Sequence, residues 1–237
     1  MRLCREVAIR NMTDHLLALG LSEHGLVAHD ERTTLDSEVS RQFGLLQLDA
    51  RAEGFQLVAA SGYRSYESQL TIFNAKWRGE RPVLDDADRP LSRELYSDEQ
   101  WLHRILRFSA LPGTSRHHHW GTDLDVFDPT LLPEDQKLAL TPSEYGDSGY
   151  FSALTQWLNQ AIASGQSRGF ERPYDADRGG VSIEPWHLSY LPRATQLRGH
   201  QSPETLRELW DQSPHLRPEG FELLSRCLEE IFVRYVQ

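Results

Sequence analysis

The chain is poor in cysteine and lysine and has no long apolar run. Two cysteines stand among 237 residues. Cys4 and Cys227 lie far apart and form no Cys-x-x-Cys, so they are expected as reduced structural thiols rather than a disulfide framework. Lysines are few, no Lys/Arg run occurs, and 25 basic against 35 acidic residues leave a net charge of −10. Phosphate binding needs a clustered cationic surface, so this balance argues against nucleic acid as a partner. No stretch approaches membrane-spanning length, so no membrane span is expected. Near the N-terminus, Arg2, Arg5, Glu6 and Arg10 precede a short apolar run, Leu16 to Leu21, flanked by Asp14 and Glu23. A secretory signal needs a longer apolar region and a small-residue cleavage site. The expected location is cytoplasmic, or periplasmic if a leader has been removed. There is no internal repeat or low-complexity tract. A Gly-x-Ser-x-Gly elbow is absent, which sets a serine hydrolase aside, and so is a His-Glu-x-x-His helix.

What is present is an ordinary globular composition, 39% apolar and 25% charged, sufficient for one compact domain with a modest helical appendage. Thr13 can cap a short helix stopping at Gly20. Val39, Phe43, Leu46 and Ala50 recur at helical spacing up to Gly54. Phe55 to Ala60 reads as a buried strand, and Ser65 can cap a helix carrying Leu70, Phe73 and Trp77. Gly79 to Tyr96, rich in Pro, Asp and Arg, reads as a loop that could form a lid. Ser97 to Gln100 is a capping box opening a helix with Trp101, Leu102, Ile105 and Leu106. Further strands are expected at Leu124 to Phe127 and His187 to Tyr190. Further helices are expected around Phe151 to Ile162, from Ser202-Pro203, and along Phe221 to Tyr235. The elements mix without a βαβ rhythm, so the fold class is α+β.

Chemistry concentrates in three clusters: Ser61-Gly62-Tyr63-Arg64-Ser65 with Gln69 behind it, Ser115 to Asp125, and Glu184-Pro185-Trp186-His187. Imidazole and carboxylate are ligands zinc accepts, and a catalytic zinc keeps three protein ligands and a water. Such a site lowers the pKa of its water from ~15.7 to around 7, and a nearby Glu can take the proton. Glu184 and His187 form the one Glu-x-x-His of the chain. Residues three apart in an extended chain face opposite ways, so sharing a site requires a turn at Pro185-Trp186. His118 and Asp125 are seven apart, as are His29 and Asp36, to which no role is assigned because no other site residue accompanies them.

Taken in order, Ser61 to Ser65, the His-x-x-Gly-x-x-x-Asp of His118 to Asp125, and Glu184-Pro185-Trp186-His187-Leu188-Ser189-Tyr190 resemble the VanY-type D-alanyl-D-alanine carboxypeptidases. These belong to peptidase family M15, whose fold is shared with hedgehog-type and lysostaphin-related domains. The resemblance spans about residues 55–190, with 191–237 as a helical extension of a single domain. It implies an α+β domain around an antiparallel sheet and one zinc per chain, with a peptidoglycan stem peptide or muropeptide as substrate. It implies His118, Asp125 and His187 as ligands and Glu184 as general base. Arg64 would hold the terminal carboxylate or the oxyanion, with Gln69 assisting. Trp186, Trp120 and Tyr190 are candidates for pocket walls. One departure stands out. The family has Ser two residues before the first ligand His, and that position is Arg116 here. Counting from Ser115 nominates His117, whereas counting from Gly121 and Asp125 nominates His118. The specificity could be L,D, D,D or endopeptidase. A non-catalytic zinc module is the rival of another class, which the presence of both Glu184 and Arg64 disfavours.

Overall fold

The structure is a computed structural model that describes residues 13–114 and 116–236, with His117 described by its backbone only. Cys4, the N-terminal arginines and Ser115 therefore lie outside the described residues. Cys227 is a half-buried free thiol.

A four-stranded antiparallel sheet organises the molecule: β3 (Val58–Ser61), β4 (Asp123–Phe127), β6 (His187–Tyr190) and β5 (Phe170–Glu171), in that spatial order. A separate hairpin pairs β1 (Leu26–Ala28) with β2 (Thr34–Asp36). The α+β expectation is met. Asp36 ends β2 and caps α1 (Ser37–Ala52), accepting from the Glu38 N–H at 2.9 Å. Val39, Phe43, Leu46 and Ala50, the stripe expected from spacing, are buried against the inner face of the sheet with Leu124, Val126 and Leu188. Leu154 and Leu158 of α6 (Ser152–Ala163) complete that cluster, which also takes Tyr145 from the one-turn α5 (Pro142–Tyr145).

The strand expected from Phe55 begins three residues later. Gly54 takes a left-handed conformation at φ 90° and the Phe55 N–H reaches back to the Ala50 carbonyl at 2.9 Å. That closure belongs to the helix end, so Phe55 terminates α1 rather than opening β3.

Beyond β3, Ser65 caps α2 (Tyr66–Trp77) by accepting from the Ser68 N–H at 3.2 Å. A second apolar cluster joins α2 and α3 (Asp98–Leu106) to α8 (Pro203–Gln212) and α9 (Phe221–Tyr235). The Trp210 indole donates to the Tyr66 hydroxyl at 2.8 Å, and that hydroxyl donates to the Leu216 carbonyl at 2.9 Å. The C-terminal helices thus share a core with the helix that follows the Ser61–Ser65 turn. Each large side chain buried there contributes roughly 1.5–3 kcal/mol. Among the described residues no helix is long and apolar enough to cross a membrane.

Candidate active site

Register brings the three sequence clusters together. Ser61 on β3 and His187 on β6 both lie opposite Asp125 on the strand between them. Residues directly opposite across antiparallel strands project on the same face, so these side chains form a row across the sheet. Asp123, two residues before Asp125, shares that face, while Leu124 and Val126 point into the core. The Ser61 hydroxyl donates to Asp125 Oδ2 at 2.5 Å. His187 Nδ1 faces Asp125 Oδ1 at 3.3 Å and Glu184 Oε2 at 3.9 Å. The turn that Pro185 demands is present: the His187 N–H bonds the Glu184 carbonyl at 3.1 Å, which swings the Glu184 side chain to the His187 side. Glu184 is buried, 5% exposed.

His118 and His119 have different surroundings because α4 (Arg116–His119) is one helical turn, and successive side chains point about 100° apart. His118 lines the cavity and its Nδ1 stands 3.2 Å from the Gly62 carbonyl. His119 is fully buried, with Nδ1 donating to the Arg64 carbonyl at 2.8 Å and Nε2 accepting from the Gly113 N–H at 3.0 Å. Burial pushes its pKa down to about 4, with the Arg64 carbonyl opposing and the Arg64 charge adding to the fall. His119 is thus a neutral brace for the Arg64 turn. His119→Phe keeps most of the volume but orphans a buried N–H and a carbonyl, each worth roughly 1–3 kcal/mol. We expect a lower urea midpoint with the denaturant slope unchanged. Gly121 sits at φ 66° behind this turn, where a Cβ would come within 2.8 Å of the Asp36 nitrogen, so this position demands glycine.

Arg116, which occupies the family's Ser position, turns inward. It is 5% exposed, donates to the Ser189 hydroxyl at 2.6 Å, and lies 3.6 Å from Asp123 through Nε. Asp123 is fully buried and bonds His187 Nε2 at 2.9 Å and the Thr122 hydroxyl. Burial alone would raise its carboxyl pKa, but Arg116, His187 and Thr122 outweigh burial and hold it below the usual range. Asp123 and Arg116 had no place among the expected site residues.

These contacts test whether the site suits a metal. Among the described residues no group of three His, Cys, Asp or Glu side chains closes around an ion position. The donor chemistry nevertheless fits one. Asp123 accepts a hydrogen bond from His187 Nε2 and the Gly62 carbonyl accepts one from His118 Nδ1, so each ring is oriented by an acceptor at one nitrogen. With Asp123 at Nε2, the other ring nitrogen of His187, Nδ1, is turned to Asp125 Oδ1, and a shared cation would have two ligand atoms side by side there. We expect Asp123→Asn to weaken metal affinity about 10–100-fold, read by competition with a chromophoric chelator on folded protein. Unchanged affinity would remove Asp123 from the support of the site.

A cavity of about 490 Å³ opens over the row. Its lining includes Arg64, Gln69, His118, Asp125, Glu184 and Trp186. Arg64 Nη1 donates to Gln69 Oε1 at 2.7 Å, and Gln69 Nε2 donates to the Ala110 carbonyl at 2.7 Å. Gln69 therefore holds the guanidinium. Burial lowers the Arg64 pKa, with Asp125 opposing and Arg81 adding to the fall. The segment 79–96 forms part of the rim through Arg81, Pro82, Leu84 and Asp88, and the Ser143 hydroxyl of α5 ties Asp88 to that helix at 2.9 Å.

Tyr190 and Trp120 are not cavity walls. Tyr190 packs in the sheet core and its hydroxyl donates to Glu38 at 2.8 Å. Its distance of three residues from His187 along one strand puts it on the opposite face. Trp120 is buried and donates to the Ala18 carbonyl at 3.0 Å. In their place the cavity is lined by Tyr174, whose ring lies 5.0 Å from that of His187 and whose carbonyl accepts from the Glu184 N–H at 3.0 Å.

The structure of VanYB in complex with D-Alanine-D-Alanine aligns with 73% of this chain and 81% of its own, at 26% identity and a TM-score of 0.50. The LdcB LD-carboxypeptidase structure aligns with 91% of this chain and 80% of its own, at 20% identity and a TM-score of 0.51, and shares the fold. An uncharacterized protein of Haemophilus influenzae is 39% identical over 121 residues, 50% of this chain and 88% of that protein. The VanY D-alanyl-D-alanine carboxypeptidase family model matches residues 32–193, and the chain belongs to that family. It is a carboxypeptidase, a peptide-bond hydrolase that releases a terminal D-alanine from peptidoglycan stem peptides.

Proposed function

We propose that His118, Asp125 and His187 hold one zinc ion, that Glu184 is the general base, and that Arg64 receives the C-terminal carboxylate of the peptide. The observation that carries this reading is the alignment of Asp125 and His187 on neighbouring strands, with Glu184 turned toward them and Arg64 lining the same cavity. Zinc at such a donor set supplies Lewis-acid polarisation of the scissile carbonyl and acidifies water.

The protein's own groups do the rest. Arg64 offers a planar fork that meets a carboxylate with two parallel charge-assisted hydrogen bonds. Gln69 occupies one of its N–H groups and so aims the remainder. A free carboxylate at that position fixes the bond cleaved as the one nearest the chain end, which makes the reaction exopeptidic. Glu184 takes the proton of the attacking water and returns it to the leaving amine. Its burial removes competing solvent, and the Tyr174 carbonyl fixes its backbone. Trp186 walls the cavity beside it.

The test is incubation with purified muropeptides followed by mass analysis. Loss of one alanine from tetrapeptide or pentapeptide, abolished by chelation and restored by zinc, supports the reading. An internal cut that leaves the terminal alanine in place contradicts the anchoring role of Arg64. Binding of zinc without cleavage would favour a non-catalytic module.

A further inference from the structure

Four cationic side chains, Arg64, Lys76, Arg81 and Arg116, line the cavity together with Asp88, Asp125 and Glu184; Arg116 is committed to Ser189 and Asp123, and Asp125 and Glu184 belong to the proposed metal site. Gln69, Ile72 and Lys76 line the cavity from one face of α2, at the i, i+3, i+7 spacing of a helix, and Arg81 lines it from the segment that follows. Of the 25 basic residues only two are lysines, Lys76 and Lys137, and one of these two is in the cavity. Arg64 is engaged by Gln69 and placed for the terminal carboxylate. Lys76 and Arg81 are left over: among the described residues neither has an ion pair or a side-chain hydrogen bond. Asp88 lines the same cavity, but its Oδ2 is taken by the Ser143 hydroxyl at 2.9 Å.

Lys76 is half-buried in that position. Burial pushes its pKa down to about 8, the charges of Arg81 and Arg64 add to the fall, and Glu184 opposes it. An ammonium withdrawn from water without an ion pair at contact distance is unfavourable, and an arriving anion relieves it. All three cations line one cavity of about 490 Å³. An extended peptide advances at most ~3.3–3.6 Å per residue, so an anion held by Lys76 and Arg81 belongs to a residue one or two positions from the terminal carboxylate.

We propose that Lys76 and Arg81 form a receptor for a second carboxylate, carried on the side chain of the residue that precedes the released D-alanine. The preferred substrate is then a stem tetrapeptide whose third residue is a diamino dicarboxylic acid rather than lysine. This inference rests on the carboxypeptidase reading of the same site and adds the residues that select among its substrates.

Two synthetic tetrapeptides ending in D-alanine test it, identical except for meso-diaminopimelate or L-lysine at the third position. Turnover is read as released D-alanine with the zinc-loaded enzyme, and binding by calorimetry with Glu184→Gln. The wild type should favour the dicarboxylate peptide about 10–100-fold in kcat/KM and in Kd, the range for a charge-assisted hydrogen bond. The double variant Lys76→Met/Arg81→Gln should lose that preference by weakening the dicarboxylate peptide and improving the lysine peptide, whose ammonium no longer meets two cations. Equal Kd values for the two peptides in Glu184→Gln overturn the proposal. Equal weakening of both peptides in the double variant also overturns it, because the two cations would then read the terminal carboxylate. A third peptide, with the γ-linked glutamate carboxylate amidated, should bind as its parent does; loss of binding there would assign the receptor to that group instead. Preferential binding without cleavage by the wild type leaves the receptor standing and removes the carboxypeptidase reading. Neither binding nor cleavage of any peptide removes both.

Discussion

Glu184→Gln should lower kcat roughly 10²–10⁴-fold, the span for removing a positioned general base, while zinc content and peptide Kd stay near wild-type values. Glutamine matches the carboxylate in shape and keeps one acceptor oxygen, so the turn at Pro185-Trp186 and the contact with Tyr174 survive. What it lacks is the basicity to take a proton. The geometry makes the separation of chemistry from binding a strict expectation. Glu184 Oε2 stands 3.9 Å from His187 Nδ1, beside the donor row rather than within it, whereas Asp125 and His187 approach to 3.3 Å. A base must stand next to the ligands without being one of them. Rates come from single-turnover release of D-alanine, and zinc content from elemental analysis of the purified variant. A Glu184→Gln enzyme that has lost its zinc would make Glu184 a ligand, and one that retains its rate would move the base elsewhere.

Much of this site can be read in the chain because its parts sit at positions where local rules are strong. Ser65 caps α2 as its hydroxyl requires, Gly121 permits the turn into β4, and the apolar alternation of Leu124 and Val126 dictates that Asp123 and Asp125 face the other way. The same alternation, applied to β6, excludes Tyr190 from the face of His187; the motif resemblance suggested otherwise, and the period of two prevailed. Arg116, Asp123 and Tyr174 are not legible in the sequence because their roles depend on partners distant along the chain. A buried arginine reads as a surface residue until Ser189 and Asp123 are seen beside it. The hairpin β1–β2 has no signature in the sequence because three-residue strands carry no usable period. The distant walls of the cavity come from loops and from the end of α9, where Tyr235 and Val236 reach the lining. Only packing of the C-terminal helices against α2 and α3 brings them there.

His118→Ala should empty the metal site, and His117→Ala should leave it filled. The two residues are neighbours in a histidine triplet, and counting along the chain leaves either one possible. What surrounds the turn supports His118. Arg116 at one end of α4 is committed to Ser189 and Asp123, and His119 at the other is committed to Gly113 and Arg64. Between them His118 borders the cavity with Asp125, its Nδ1 against the Gly62 carbonyl, which directs Nε2 away from that carbonyl. A histidine oriented by a backbone carbonyl is a pre-arranged ligand. Removing it takes away one of three protein donors, so the loss should exceed the ~10–100-fold expected for a supporting partner such as Asp123. Zinc titration against a chelator of known affinity gives the comparison directly, and cobalt substitution gives a second reading, since loss of an imidazole changes the visible spectrum. If His117→Ala empties the site and His118→Ala does not, the ligand is the histidine two positions after Ser115. The extra residue of the triplet would then fall between the ligand and Gly121 instead of ahead of it.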